Sequence, residues 1–263
     1  MTDIKLEKVR NTRDLCSIAC AGGKHPATGR LIRGSALWRA TDEDIRILME
    51  DYHLGCVIDL RTDGELERKP TPYQKFPGVR FVHASVLEWA TVGVSHDEAS
   101  QEERERFLAH PELIMQGHYI VMLCQPHGIR AFRTFFATLL EEADNPDTGA
   151  IFYHCMGGKD RTGLATVLLL HALGSSWDDI CADYLLTNRD LKRDGSRASL
   201  LKDYNMDEDM AGALAAVNSA QLSYVDAAID AVTREYGSLD AYLETALGVG
   251  PEQIGKLRDA FLV

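Results

Sequence analysis

Short apolar runs of four or five residues alternate along the chain with longer stretches in which apolar positions recur every three or four residues, the rhythm of strands interleaved with helices. Cys56-Val57-Ile58-Asp59-Leu60, after Gly55, reads as a buried parallel strand; Val79 to His83 and Ala150 to Tyr153 read as two more. Thr41 followed by Asp42, Glu43 and Asp44, then Ile45, Leu48 and Met49, predicts a capped amphipathic helix with a solvated acidic start, ending near His53. Asp63-Gly64 reads as a turn. Gly128 to Glu142 places Ile129, Phe132, Phe135, Phe136, Leu139 and Leu140 on one helical face, and Asn145-Pro146-Asp147 breaks it. Thr162 to Leu173 is apolar on every side, so it predicts a central helix stopped by Gly174, with His171 as a satisfied core histidine. Ser175-Ser176-Trp177-Asp178-Asp179 restarts a helix with capping-box spacing, and the rest of the chain reads as helical, including Tyr224 to Tyr236, Leu239 to Leu247 and Gln253 to Leu262.

The Gly-rich opening, Arg10 to Leu37, suggests short strands joined by turns in a hairpin-like lead-in. His96 to Glu105 is so charged that it reads as an exposed helix or part of a lid-like insertion at about 85–127. The pattern as a whole predicts an α/β fold: a mainly parallel sheet flanked by helices, with a helical C-terminal half, in one domain over 1–263.

Composition narrows the partners. A formal charge of −12 over 263 residues argues against a broad nucleic-acid or anionic-membrane surface, so any phosphate recognition is local. The longest apolar stretch, Leu164 to Leu173, is far short of a membrane span of ~20 residues, and the first ten residues lack the hydrophobic region of a secretory signal. No integral membrane association is expected, and the chain is expected to start near Met1. Six cysteines without paired spacing fit a reducing, cytoplasmic setting better than a disulfide framework. Cys16 and Cys20 have no second Cys or His pair to complete a zinc site, so zinc is not expected there.

The chemistry concentrates in His154-Cys155-Met156-Gly157-Gly158-Lys159-Asp160-Arg161-Thr162-Gly163, between an apolar strand and an apolar helix. A loop in that position can aim successive backbone N–H groups at one point, where the helix adds partial positive charge; the point suits a phosphate dianion. Gly157 and Gly158 allow backbone angles that a Cβ resists, and Arg161 offers a planar fork to two phosphate oxygens. The same field favours the thiolate of Cys155, which points to in-line attack on a phosphate monoester and a phosphocysteine intermediate. Thr162 is expected to donate toward the sulfur, His154 to order the loop, and Met156 to Arg161 to bind the phosphate. The leaving oxygen needs a proton, for which Asp160, then Asp59, then Glu88 stand as candidates; Asp59 reads equally well as a structural partner of Arg61. Lys159 reads as a substrate contact or as a partner of Asp160. Cys56 is a candidate trap for oxidised Cys155, although a plain core role fits it better.

These motifs resemble the bacterial and fungal tyrosine phosphatases of the His-Cys-x-x-Gly-Lys-Asp-Arg-Thr-Gly type, among them mycobacterial and listerial enzymes active on phosphoproteins and phosphoinositides. The loop matches at His154, Cys155, Gly158, Lys159, Asp160, Arg161, Thr162 and Gly163. Asn11-x-Arg13-Asp14-Leu15, Val57-Ile58-Asp59-Leu60-Arg61 with Glu65, Asp183-Tyr184-Leu185-Leu186 and Tyr236-Gly237-Ser238-x-x-x-Tyr242-Leu243 extend the likeness over nearly the whole chain. The resemblance implies a cysteine-phosphatase fold with a four- to five-stranded sheet, no metal and no other cofactor, and roles for Lys159 and Asp160 in phosphoinositide binding and acid function. Cys16-Ser17 stands where such relatives carry Gly-Gly, and Met156-Gly157 replaces a commoner small pair. The expected substrate is a phosphorylated protein or a phosphoinositide, with inorganic phosphate as product. A lipid or inositol-phosphate phosphatase, an inactive phosphate-binding module and a sulfurtransferase are the alternatives; a nucleotide-binding loop is excluded because Tyr153 stands where its first glycine is needed.

Overall fold

The computed structural model describes residues 2–88, 105, 107–191, 201 and 207–263. Apart from Glu105, the stretch His96 to Glu105 lies outside them. Among the described residues six strands form one sheet: β1 (Thr2–Asp3), β2 (Arg13–Asp14), β3 (Leu31–Gly34), β4 (Leu54–Asp59), β5 (Arg80–His83) and β6 (Ala150–His154), in the order β1-β2-β3-β6-β4-β5. β3, β6, β4 and β5 are parallel neighbours, and β2 returns antiparallel on β3 as the lead-in hairpin. The central strands are apolar throughout because both faces are covered. Alternation divides them: Ile58, Ile151 and Tyr153 enter one core with most of the helices, while Val57, Ile32 and Phe152 enter a smaller one with Ile45, Leu48 and Phe76.

The helices are α1 (Asp42–Arg46), α2 (Asp63–Arg68), α3 (Pro111–Cys124), α4 (Pro126–Ala143), α5 (Asp160–Leu173), α6 (Trp177–Leu191), α7 (Glu208–Asn218), α8 (Leu222–Tyr236), α9 (Leu239–Thr245) and α10 (Pro251–Phe261). α5 runs through the middle of the larger core, buried except at Asp160 and His171, and ends at Gly174 in the left-handed conformation (φ 85°). α3 packs into that core through Met115, Tyr119, Met122 and Leu123, so this part of 85–127 is a wall of the domain. Among the described residues, no helix is long and apolar enough to cross a membrane.

Three local expectations are corrected. Asp63-Gly64 opens α2 instead of forming a turn, because Thr62 and Glu65 complete a capping box that outweighs the turn tendency of Asp-Gly. His171 pairs with exposed Asp240 at 2.8 Å and is itself partly exposed, since it faces the joint with α9 and not the core. Asp44 is fully buried. Its carboxylate accepts the amides of Thr41 at 3.1 Å, Glu7 at 2.5 Å and Lys8 at 3.1 Å, fastening the N-terminal segment to the start of α1. Asp44→Ala removes all three charge-assisted bonds, so it is expected to destabilise the protein by about 2–3 kcal/mol. A shift in the urea midpoint at unchanged slope checks this, and a loss below about 0.5 kcal/mol would contradict it.

Candidate active site

The parallel strands β3, β4 and β6 end on the same side of the sheet, and the chain leaving each meets there. Residues 155–159 turn from the end of β6 into the first turn of α5. Gly158 takes φ 67°, and a Cβ at that position would stand 2.6 Å from the carbonyl oxygen of Gly34, so only glycine fits. The loop carbonyls are tied outward. Met156 O accepts the Ala36 amide at 3.2 Å, and Gly158 O accepts Asn11 Nδ2 at 2.7 Å and Arg33 Nη2 at 2.8 Å. Gly157 O lies 3.5 Å from Asn11 Nδ2, and Cys155 O lies 3.1 Å from His154 Nδ1. In a trans peptide the N–H points opposite to the C=O, so the amides of residues 156–159 turn to the other side. None of them finds an acceptor among the described residues. Together with the positive end of α5 they form a place for an anion.

A buried polar network keeps the carbonyls where they are. Arg33 is fully buried; besides Gly158 O it donates at 2.9 Å to both Thr166 Oγ1 and Asp183 Oδ2. Arg13 grips the same carboxylate at 2.7 and 3.0 Å and donates at 2.6 Å to Asn11 Oδ1, which fixes the side chain that holds Gly158. Burial works to raise the Asp183 carboxyl, and the two arginines outweigh it, holding it below the ordinary range. Residue-by-residue reading passed over Arg33; the available signal was a charged side chain inside the apolar strand Leu31-Ile32-Arg33-Gly34.

Around the loop, the sequence-predicted residues separate into two groups. Cys155 is buried at its base. Arg161 donates from Nη1 and Nη2 to the two oxygens of Glu65, at 2.5 and 3.0 Å. Burial would lower the guanidinium, but the Glu65 bonds and the facing Cys155 sulfur outweigh it and hold it above its ordinary value. Glu65 is the capping-box residue of α2, so one side chain both starts that helix and aims Arg161. Thr162 Oγ1 is buried without a hydrogen-bond partner among the described residues. Asp59 Oδ1 stands 3.7 Å from His154 Nδ1, but its carboxylate is bound to Arg61: it takes Arg61 Nε at 2.9 and 3.0 Å, Nη2 at 2.6 Å and the Arg61 amide at 3.0 Å. Burial disfavours the Asp59 carboxylate, yet the His154 ring and Arg61 depress its pKa below the ordinary value.

Asp160 begins α5, and both of its side-chain contacts fall on Oδ1: Tyr119 Oη donates at 2.7 Å and Lys159 Nζ lies at 2.8 Å. Tyr119 also meets Tyr184 Oη at 2.7 Å. Burial, with Asp160 beside it, pushes the Tyr119 phenol well up, so it stays a proton donor across the physiological range. Lys159 Nζ is held by the Val217 carbonyl at 2.6 Å, beyond the contact with Asp160. Glu88 faces His127 at 3.6 Å. Cys56 pairs with Ile151 in register, four residues before Cys155 along β6, a separation of about 13 Å that no disulfide spans.

The network around Gly158 predicts a specific loss. Arg33→Met leaves Gly158 O short of a donor and Asp183 with one arginine, and is expected to destabilise the fold by about 3–5 kcal/mol in urea unfolding. A change under about 1 kcal/mol would show that the buried guanidinium is not holding the loop.

A sequence model of the tyrosine phosphatase family matches residues 4–263. A protein of Cupriavidus necator whose name assigns it to the tyrosine-protein phosphatases is 32% identical over 255 residues, covering 96% of this chain and 86% of that one. The triple specificity protein phosphatase PtpB of Mycobacterium tuberculosis is 32% identical over 121 residues, 43% of this chain and 44% of its own. A tyrosine-protein phosphatase of Nostoc commune is 24% identical over 248 residues, covering 92% and 77%.

Proposed function

The chain belongs to the tyrosine phosphatase family and is a cysteine-dependent phosphatase; from that premise we propose that it hydrolyses phosphotyrosine in proteins through a phosphocysteine at Cys155. The observation that carries this reading is the loop itself: outward carbonyls, amides around Cys155 with no acceptor among the described residues, and Arg161 aimed by Glu65. The sulfur attacks phosphorus in line, an S–P bond forms, and the P–O bond to the phenol breaks with its electron pair leaving on oxygen. That oxygen takes a proton from Asp160. Water then attacks phosphorus, Asp160 accepts the proton it returns, and the S–P bond breaks to release phosphate and thiolate. The amides of residues 156–159 and Arg161 stabilise the charge on the transferring phosphoryl group in both steps.

Among the acid candidates, Asp160 is favoured because its two side-chain contacts both fall on Oδ1, which leaves Oδ2 to carry the proton. Asp59 serves as the structural partner of Arg61 in this reading, since its oxygens are taken by that guanidinium. The Thr162 hydroxyl, without a partner among the described residues, suits donation to the departing sulfur. His154 helps to hold the Cys155 carbonyl, and Lys159, its amine on Val217 O, braces the loop against the end of α7. A reducing cytoplasmic setting suits a nucleophile that must remain unoxidised. Phosphoserine and phosphoinositide are further candidate substrates; the "triple specificity" in the name of the mycobacterial relative gives reason to assay both.

The test compares phosphotyrosyl, phosphoseryl and phosphoinositide substrates with p-nitrophenyl phosphate. Phosphotyrosyl peptide is expected to be turned over fastest among the natural groups, and Cys155→Ser to abolish turnover of all. Asp160→Asn is expected to lower kcat on phosphotyrosyl peptide by about 10²–10⁴-fold, with a smaller loss on p-nitrophenyl phosphate, whose more acidic leaving group needs less proton donation. Tyr119→Phe should lower kcat with little change in KM, because it loosens the orientation of the acid. Equal losses on both leaving groups in Asp160→Asn would remove it from the acid role.

A further inference from the structure

Beside the loop, a half-buried indole collects two cations. The Arg39 guanidinium lies 4.4 Å from the centroid of the Trp38 ring and the Lys69 ammonium 4.9 Å from it, so the two charges stand no more than about 9 Å apart. Both come from segments clamped to the phosphate loop. Trp38 lies two residues beyond Ala36, whose amide holds Met156 O. Lys69 lies one helical turn beyond Glu65, which aims Arg161, and its own carbonyl accepts Arg61 Nη1 at 2.7 Å. Some exposed cations elsewhere on this acidic molecule sit against carboxylates, as Arg46 does with Glu43 and Lys75 with Asp42. Neither Arg39 nor Lys69 has a carboxylate within ion-pair distance among the described residues. Stacking on Trp38 orders two side chains that would otherwise be mobile, so less entropy is lost when they meet an anion.

We infer that Arg39, Trp38 and Lys69 form a second anion subsite, which takes an acidic group flanking the phosphotyrosine of a peptide substrate. The inference rests on the phosphatase reading and names the substrate feature that the site selects. Two positive charges beside a site that already binds one dianion favour a chain carrying a second negative group near the first. The net charge of −12 confines that preference to this patch, because an acidic peptide is repelled by the rest of the surface. The anion can be a carboxylate or a second phosphate, since both accept from a guanidinium fork and an ammonium.

The experiment measures kcat/KM for four substrates: a phosphotyrosyl peptide flanked by Glu, the same peptide flanked by Gln, the same peptide with a second phosphotyrosine as the flank, and p-nitrophenyl phosphate. The wild-type protein is expected to prefer the two anionic flanks over Gln by about tenfold at low salt, and to lose most of that preference at ~1 M salt. Arg39→Ala and Lys69→Ala should each cut the preference about threefold, and Lys69→Glu should invert it, all with p-nitrophenyl phosphate turnover within about twofold of wild type. Which anionic flank is preferred separates the carboxylate from the phosphate source. Equal losses on all four substrates would assign the trio a structural role, and an unchanged preference in Lys69→Glu would place the selecting group elsewhere; either overturns the inference. Absence of p-nitrophenyl phosphate turnover in the wild-type protein would instead strike the phosphatase reading beneath it.

Discussion

Everything at this site depends on the direction of one carbonyl. Gly158 O points into the protein, where Arg33 and Asn11 both donate to it, and so the amide on the other side of that peptide faces the place proposed for the anion. Holding it there takes a buried guanidinium, which is costly unless its protons are satisfied and its charge is balanced. Asp183 balances part of the charge that Arg33 and Arg13 bring together, Thr166 takes another proton while Arg33 Nε has no partner among the described residues, and Arg13 fixes both Asp183 and Asn11. Such a network is high in stakes: satisfied, it leaves the loop one conformation; broken, it leaves charges stranded in the core.

The sheet brings these parts together. Parallel pairing sets the ends of β3, β4 and β6 side by side, with Asp59 opposite His154 and Gly34 opposite His154 on the other flank. From β3 the chain supplies Ala36 to the loop, and from β4 it turns into α2, where Glu65 reaches Arg161. The capping box of α2 thus does two jobs, since the same carboxylate oxygen takes the Thr62 amide and the Arg161 guanidinium. α3 closes the remaining side with Tyr119, joining the acid candidate to the aromatic cluster of Tyr184 and Tyr224.

Much of this was legible before the structure. The alternation of apolar runs and helical periods placed β4, β6, α4 and α5 within a few residues, because those segments are buried and their pattern is set by packing. The loop residues were legible because a cysteine, glycines and an arginine between strand and helix have few other uses. What escaped was the tertiary support. Arg33 and Tyr119 contribute through partners distant in sequence, Thr166 and Asp183 for one and Asp160 for the other, and no local spacing announces such pairs. Glu65 and Asp183 entered only through resemblance. The burial of Asp44 is hidden from local pattern for the same reason: its local setting is a helix start, while its burial comes from residues 7 and 8 folding over it.

On this account the loop does chemistry on one residue. Rapid acid quench of the Asp160→Asn variant with a phosphotyrosyl peptide, followed by mass spectrometry of the digested protein, measures where the phosphoryl group rests between the two steps. The account predicts a single phosphoryl adduct on the peptide containing Cys155, carried on sulfur. An adduct on His154 or another residue, or steady turnover with no adduct at any quench time, would contradict it.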